Sequence, residues 1–116
     1  MAIISWIKST QGEWLDFERC YISEISTIGV YIIWHGGQTP WTVYVGQGDI
    51  KNRFSTHRVD RRIIAYRPKG LFVTWAWVCQ NELDGIERFL ADQLRPLVED
   101  KHPDVRPLPV NLPWAA

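Results

Sequence analysis

The sequence predicts a small α+β domain, a short mixed or antiparallel sheet of about three strands flanked by helices. Three observations predict it. Two runs rich in β-branched and aromatic residues, 29–34 and 41–45, flank the turn formers His35-Gly-Gly-Gln-Thr-Pro40, the pattern of a hairpin. A third apolar run, 71–78, falls between two stretches of helical periodicity. The chain has 116 residues, 46% of them hydrophobic, enough for one ordinary core and too few for two.

The elements follow in order. Residues 1–28 form an N-terminal extension of mixed periodicity, with a short helix expected over 13–21 because Trp14, Phe17 and Tyr21 would share one side. The hairpin comes next, with its second strand ending at Gly46-Gln-Gly48, where the glycines are read as a backbone turn. Asp49 stands where an N-cap belongs, and a helix is expected over 50–59 with Ile50 and Phe54 on one face. Residues 71–78 are apolar on both alternating faces, as in a strand covered on each side. Asn81 with Asp84 three residues on resembles a capping box, and Pro96 must end the helix expected over 82–95. Five of the seven prolines fall after residue 95, so the core at 29–96 should be followed by an extended strap at 97–116.

Composition excludes several classes. No apolar run approaches the roughly 20 residues of a membrane span, and the start lacks the charged lead and cleavage site of a secretory signal, so a cytoplasmic protein is expected. Cys20 and Cys79 are far apart and have no metal-ligand spacing, so both are read as buried small hydrophobes. The 13 Lys and Arg balance the 13 Asp and Glu, which excludes a uniformly basic nucleic-acid binder. That neutrality hides an asymmetry. Residues 51–69 carry seven Lys and Arg against Asp60 alone, whereas residues 82–104 carry seven acids against three basic residues. The basic segment, with Lys51, Arg58, Arg61 and Arg62, suits a phosphate backbone, and the alternative is a solvated face paired with the acidic segment.

Three features carry candidate chemistry. Leu83, Leu90 and Leu94 form an apolar helix stripe, and Glu87 lies within it. A carboxylate so placed needs a paired cation, a metal or an opening to solvent, because removing it from water costs several kcal/mol. Arg53 and His57, four residues apart on the preceding helix, face the same way. Tyr31 and Tyr44 share a sheet face if the hairpin register allows, although strand tyrosines are more often packing residues. The glycines 46 and 48 lack the rest of a phosphate-loop pattern.

The ordered set Gly29-Val-Tyr31, Tyr44-Val-Gly46, Arg53, His57, Glu87 before Pro96, and Asn111 resembles the GIY-YIG nuclease superfamily over roughly residues 29–111. Valine stands for isoleucine in both name motifs and keeps the β-branched shape. The resemblance implies an endonuclease that hydrolyses phosphodiester bonds in DNA, with RNA as a further substrate class, using a single Mg²⁺ or Mn²⁺ per active site. Glu87 would hold the metal, Arg53 the scissile phosphate, and Tyr31 the attacking water, with Tyr44 as the competing base. His57 would be their partner or a proton shuttle, Gly46 would lie against the substrate, and Asn111 would fix the geometry. The step from Pro96 to Asn111 is longer than the family's usual one. With no room for a second DNA-binding domain, site selection is left to the basic segment, a homodimer or a separate targeting protein. Two other readings stand beside this one: a binding or adaptor module of the same fold without turnover, and a protein-interaction domain using its seven tryptophans.

Overall fold

The structure, a computed structural model, describes residues 1–114. It is an α+β fold built on a four-stranded sheet, one strand more than the sequence predicts. The strands are β1 (Leu15–Asp16), β2 (Ile28–His35), β3 (Trp41–Asp49) and β4 (Leu71–Trp77), in the order β1-β4-β2-β3. Every neighbouring pair is antiparallel. Because β2 lies between β4 and β3 with both faces covered, every residue from Gly29 to His35 is buried. Its alternation divides the core. Tyr31 and Ile33 pack on one face with Tyr44, Phe54, Val73 and Trp75, while Val30, Ile32 and Trp34 pack on the other with Val45, Ile86 and Leu90.

Helix α1 (Ile50–His57) lays Ile50, Phe54 and His57 on the first face, and Asp49 caps it by accepting from the Asn52 amide. Helix α2 (Arg61–Ile64) and a 3₁₀ turn at Arg67–Lys69 return the chain to β4. Neither is foreseen from periodicity, since four residues are too few to show a period. The Asp60 carboxylate caps α2 through the Arg62 amide. Helix α3 (Leu83–Leu94) packs against β3 and β2, burying Leu83, Ile86 and Leu90 on the second face.

Three expectations change. The helix expected over 13–21 is instead the short strand β1 and a turn, in which Asp16 Oδ1 accepts from the Glu18 and Arg19 amides. Leu15 and Asp16 pair with Val73 and Phe72, which sends Trp14 to the second face and Phe17 to the first and leaves Tyr21 exposed. The Asn81 cap gives way to a 3₁₀ turn over Gln80–Glu82, and Glu82 takes the N-cap position without a side-chain hydrogen bond. Gly46 and Gly48 do not turn the chain. They sit inside β3, opposite Tyr31 and Gly29. A Cβ on Gly46 would collide with the Tyr31 hydroxyl, so glycine here makes room for a ring.

The strap is extended and well anchored. Leu97 and Val98 amides bond to the carbonyls of Thr42 and Val43, and the Leu108 amide bonds to Gly85 in α3. A Cβ on Gly85 would meet the Leu108 side chain at 2.6 Å, so the close approach of strap and helix requires that glycine. The strap's last two positions, Ala115 and Ala116, lie outside the described residues. The cysteines are not both buried. Cys20 is half-buried beside Arg58 and Cys79 is exposed just past the end of β4. No helix among the described residues is long and apolar enough to cross a membrane.

Candidate active site

Tyr31 and Tyr44 do share a face. The register sets Tyr31 opposite Gly46 and Ile33 opposite Tyr44, so the two rings are diagonal neighbours and stack at 6.2 Å, 12° from parallel. Helix α1 brings Arg53 and His57 over them. The Tyr31 hydroxyl lies 2.6 Å from His57 Nε2 and 3.2 Å from Arg53 Nε. Arg53 has only donors, so its Nε–H points at the Tyr31 oxygen, and the tyrosine's own proton is directed at His57 Nε2. Arg53 Nη2 also approaches that nitrogen, at 3.5 Å, which likewise requires an acceptor there. The His57 proton therefore sits on Nδ1, which is buried without a hydrogen-bond partner among the described residues.

Burial governs the ionisation of these groups. It pushes the Tyr31 phenol up to about 12, outweighing the hydrogen bond and charge of Arg53 that favour phenolate. Burial, helped by the neighbouring Arg53 charge, lowers His57 to about 4. Tyr44 is also raised, first by burial and then by its hydrogen bond to a carboxylate. That carboxylate is Asp100, 2.8 Å from the Tyr44 hydroxyl. Both tyrosines are neutral phenols near pH 7.

Glu87 is buried, at 6% exposure, on the face of α3 that carries Ile86 and Leu90. Its negative charge is felt at Tyr31, where it opposes ionisation. Its immediate partner is not an arginine. His102 Nδ1 lies 2.7 Å from Glu87 Oε2. Glu87 fits a hard divalent cation as a single carboxylate ligand, since Mg²⁺ takes one or two carboxylates and fills the rest of its shell with water and phosphate oxygens. Among the described residues no group of three His, Cys, Asp or Glu side chains is placed to hold a metal ion by itself.

The remaining predicted residues are placed differently. Asn111 is not at this cluster. Its Oδ1 accepts from the Ile4 amide and its Nδ2 donates to the Ile4 carbonyl, tying the first residues of the chain to the end of the strap. The long step from Pro96 lets the strap cross the molecule, which carries Asn111 to the N-terminal segment. Arg58 is committed to structure, donating to the carbonyls of Phe17 and Cys20. Arg62 pairs with Asp60 and Asp100, and Arg67 with Glu18. The basic segment thus follows in part the paired-face reading. Lys51, Arg53, Arg61 and Lys69 are in no ion pair among the described residues.

Two residues at the cluster escape sequence reasoning, Asp100 and His102. Nothing in their spacing links them to Tyr44 or Glu87. The available signal is that Glu-Asp-Lys-His lies between Pro96 and Pro103, a polar run on a stiffened backbone. A groove of about 840 Å³ lies elsewhere, lined by Trp14, Trp34, Trp41 and Trp114, and none of the candidate residues borders it. Its walls are indoles packed edge to face, Trp14 and Trp114 each against Trp34. Set against known proteins, the chain matches no protein-family model, no curated protein and no solved structure.

Proposed function

We propose that this domain is a divalent-metal-dependent endonuclease of GIY-YIG type that hydrolyses phosphodiester bonds in DNA. The observation that carries the reading is the hydrogen-bonded set of Tyr31, Arg53 and His57, together with a buried carboxylate, Glu87, whose charge opposes ionisation of Tyr31. A structural cluster alone gives little reason to set a half-buried arginine and a buried imidazole on a buried phenol, since each loses hydration there.

In this reading Arg53 holds the scissile phosphate, its fork matching two phosphate oxygens and the charge that grows on them. Tyr31 is the base, working as a relay. A neutral phenol whose proton already points at His57 Nε2 accepts a proton from water as it passes its own to the imidazole. His57 alone is a weak acceptor, because burial and, after it, the Arg53 charge hold it low. A bound phosphate offsets the Arg53 charge and raises its basicity when substrate is present. Tyr44 is the lesser candidate, since its proton is given to Asp100 and its hydroxyl is left to accept from water or substrate. Glu87 would hold the divalent cation, and the chemistry such an ion would supply when bound is neutralisation of phosphate charge and stabilisation of the leaving oxygen.

Supercoiled plasmid with Mg²⁺ or Mn²⁺ tests the reading. Wild type is expected to nick, and Glu87→Gln to lose at least about 100-fold of that rate while keeping its fold. A folded wild type that leaves plasmid intact under both metals overturns it. The binding-module reading has one specific support, that Asp100 takes up Arg62 and the Tyr44 hydroxyl. It predicts salt-sensitive DNA retention with no product.

A further inference from the structure

The Glu87 carboxylate shares its pocket with the His102 imidazole, their side chains 8% and 13% exposed. A carboxylate only accepts, so Nδ1 carries a proton and donates to Oε2. The other ring nitrogen, Nε2, is buried and has no hydrogen-bond partner among the described residues. Leaving such a nitrogen unpaired is costly, because it loses water without gaining a partner, and this selects against the arrangement unless it serves something. His102 has little freedom to leave. The strap is fastened on one side at Val98 to β3 and on the other at Leu108 to α3, and Gly85 is needed for that second contact.

We infer that His102 is a positioning residue for divalent-metal binding at Glu87. Its Nδ1–H engages Oε2 and fixes the carboxylate rotamer, which leaves Oε1 as the oxygen that meets a hard cation. Its Nε2 lone pair takes a donor from the water that such a cation brings with it. This rests on the proposed function only in taking Glu87 as the metal ligand. The strap, which looks like a mere tail in sequence, thereby completes the site from a distance of 15 residues along the chain.

Mn²⁺ binding to the full chain, followed by loss of the free-ion electron paramagnetic resonance signal, tests this without reference to cleavage. The variants are His102→Ala, His102→Asn, His102→Gln and Glu87→Gln. An asparagine amide reaches the place of Nδ1–H, whereas a glutamine amide reaches that of Nε2. His102→Ala and His102→Gln are expected to weaken Mn²⁺ binding by about 10- to 100-fold, and His102→Asn to recover most of it. The Mg²⁺ concentration for half-maximal nicking should rise by the same factor. Should alanine fail to fold, the asparagine and glutamine pair carries the comparison, since a merely structural role gives no reason for them to differ. Equal binding by wild type, His102→Gln and His102→Asn, with loss only in Glu87→Gln, overturns the role of His102 and leaves the nuclease reading standing. No Mn²⁺ binding by wild type overturns both. Binding that follows the expected order in a protein that never nicks DNA upholds His102 and overturns the nuclease.

Discussion

At the scale of single residues, the proton on the Tyr31 hydroxyl decides the most. Arg53 donates to that oxygen and the phenol's own proton is directed at His57, whereas the Tyr44 proton goes to Asp100, so the two tyrosines become unequal although both lie on one face. Tyr31→Phe is therefore expected to lower nicking by about 10²- to 10³-fold and Tyr44→Phe by clearly less. Single-turnover cleavage of a nicked-product assay measures both, and the reverse order would hand the base role to Tyr44. His57 also leaves a mark on stability. Its pKa falls from 6.5 to about 4 on folding, chiefly through burial, so the neutral ring's contribution is complete above pH 6.5 and drains away as pH falls toward 4. Within that window the unfolded chain binds a proton that the native protein does not, and stability should fall by up to about 1.4 kcal/mol per pH unit. Denaturant titrations of wild type and His57→Gln between pH 4 and 7 isolate this, because the glutamine variant lacks the slope. A parallel pair of profiles would show that His57 is not buried neutral.

At the scale of elements, the placement of the site depends on how helix and strand share glycine. Tyr31 sits over Gly46, and the stem of Arg53 lies over Gly48, so a hairpin motif and a helix that are separate in sequence close on one another. Gly46→Ala should cost 1–3 kcal/mol or more by overpacking against the phenol, a figure of the order seen when a methyl group is forced into a full core, and should displace Tyr31 from His57. Thermal melting with activity of the residual fold reads both. The strap is the other element whose role is set by anchors. Asn111→Ala removes two hydrogen bonds to Ile4, leaves a backbone amide and carbonyl unpaired, and should lower stability by about 1–3 kcal/mol. Nicking below the melting temperature should be unchanged. A loss of turnover without a loss of stability would return Asn111 to the site.

At the scale of the whole molecule, charge is organised by pairing more than by accumulation. Of the seven cations at 51–69, Arg58 serves backbone carbonyls while Arg62 and Arg67 are held by carboxylates, and Lys51, Arg53, Arg61 and Lys69 are in no ion pair among the described residues, so in the proposed nuclease these four are the ones free to meet phosphate. With each phosphate contact contributing a slope of about −0.9, DNA affinity should fall with a log–log salt slope of about −4, not the −6 or so that seven free cations give. Fluorescence anisotropy across a salt series measures it. Much of the rest was legible. The hairpin, the central strand, both longer helices, and Tyr31, Tyr44, Arg53, His57 and Glu87 follow from periodicity, propensity and motif order, because hydrophobic pattern and turn chemistry are local properties of the chain. The misread parts are those in which a distant partner outweighs local preference. Residues 13–21 have helical spacing but pair with β4, and the glycines of β3 have turn chemistry but make room for a ring. Sequence by itself thus determined on which elements the candidate residues Tyr31, Tyr44, Arg53, His57 and Glu87 stand. Only the tertiary structure decided that Asp100 and His102 join them and that Asn111 and Arg58 do not, since hydrogen bonds across 15 to 107 positions depend on where the folded backbone runs.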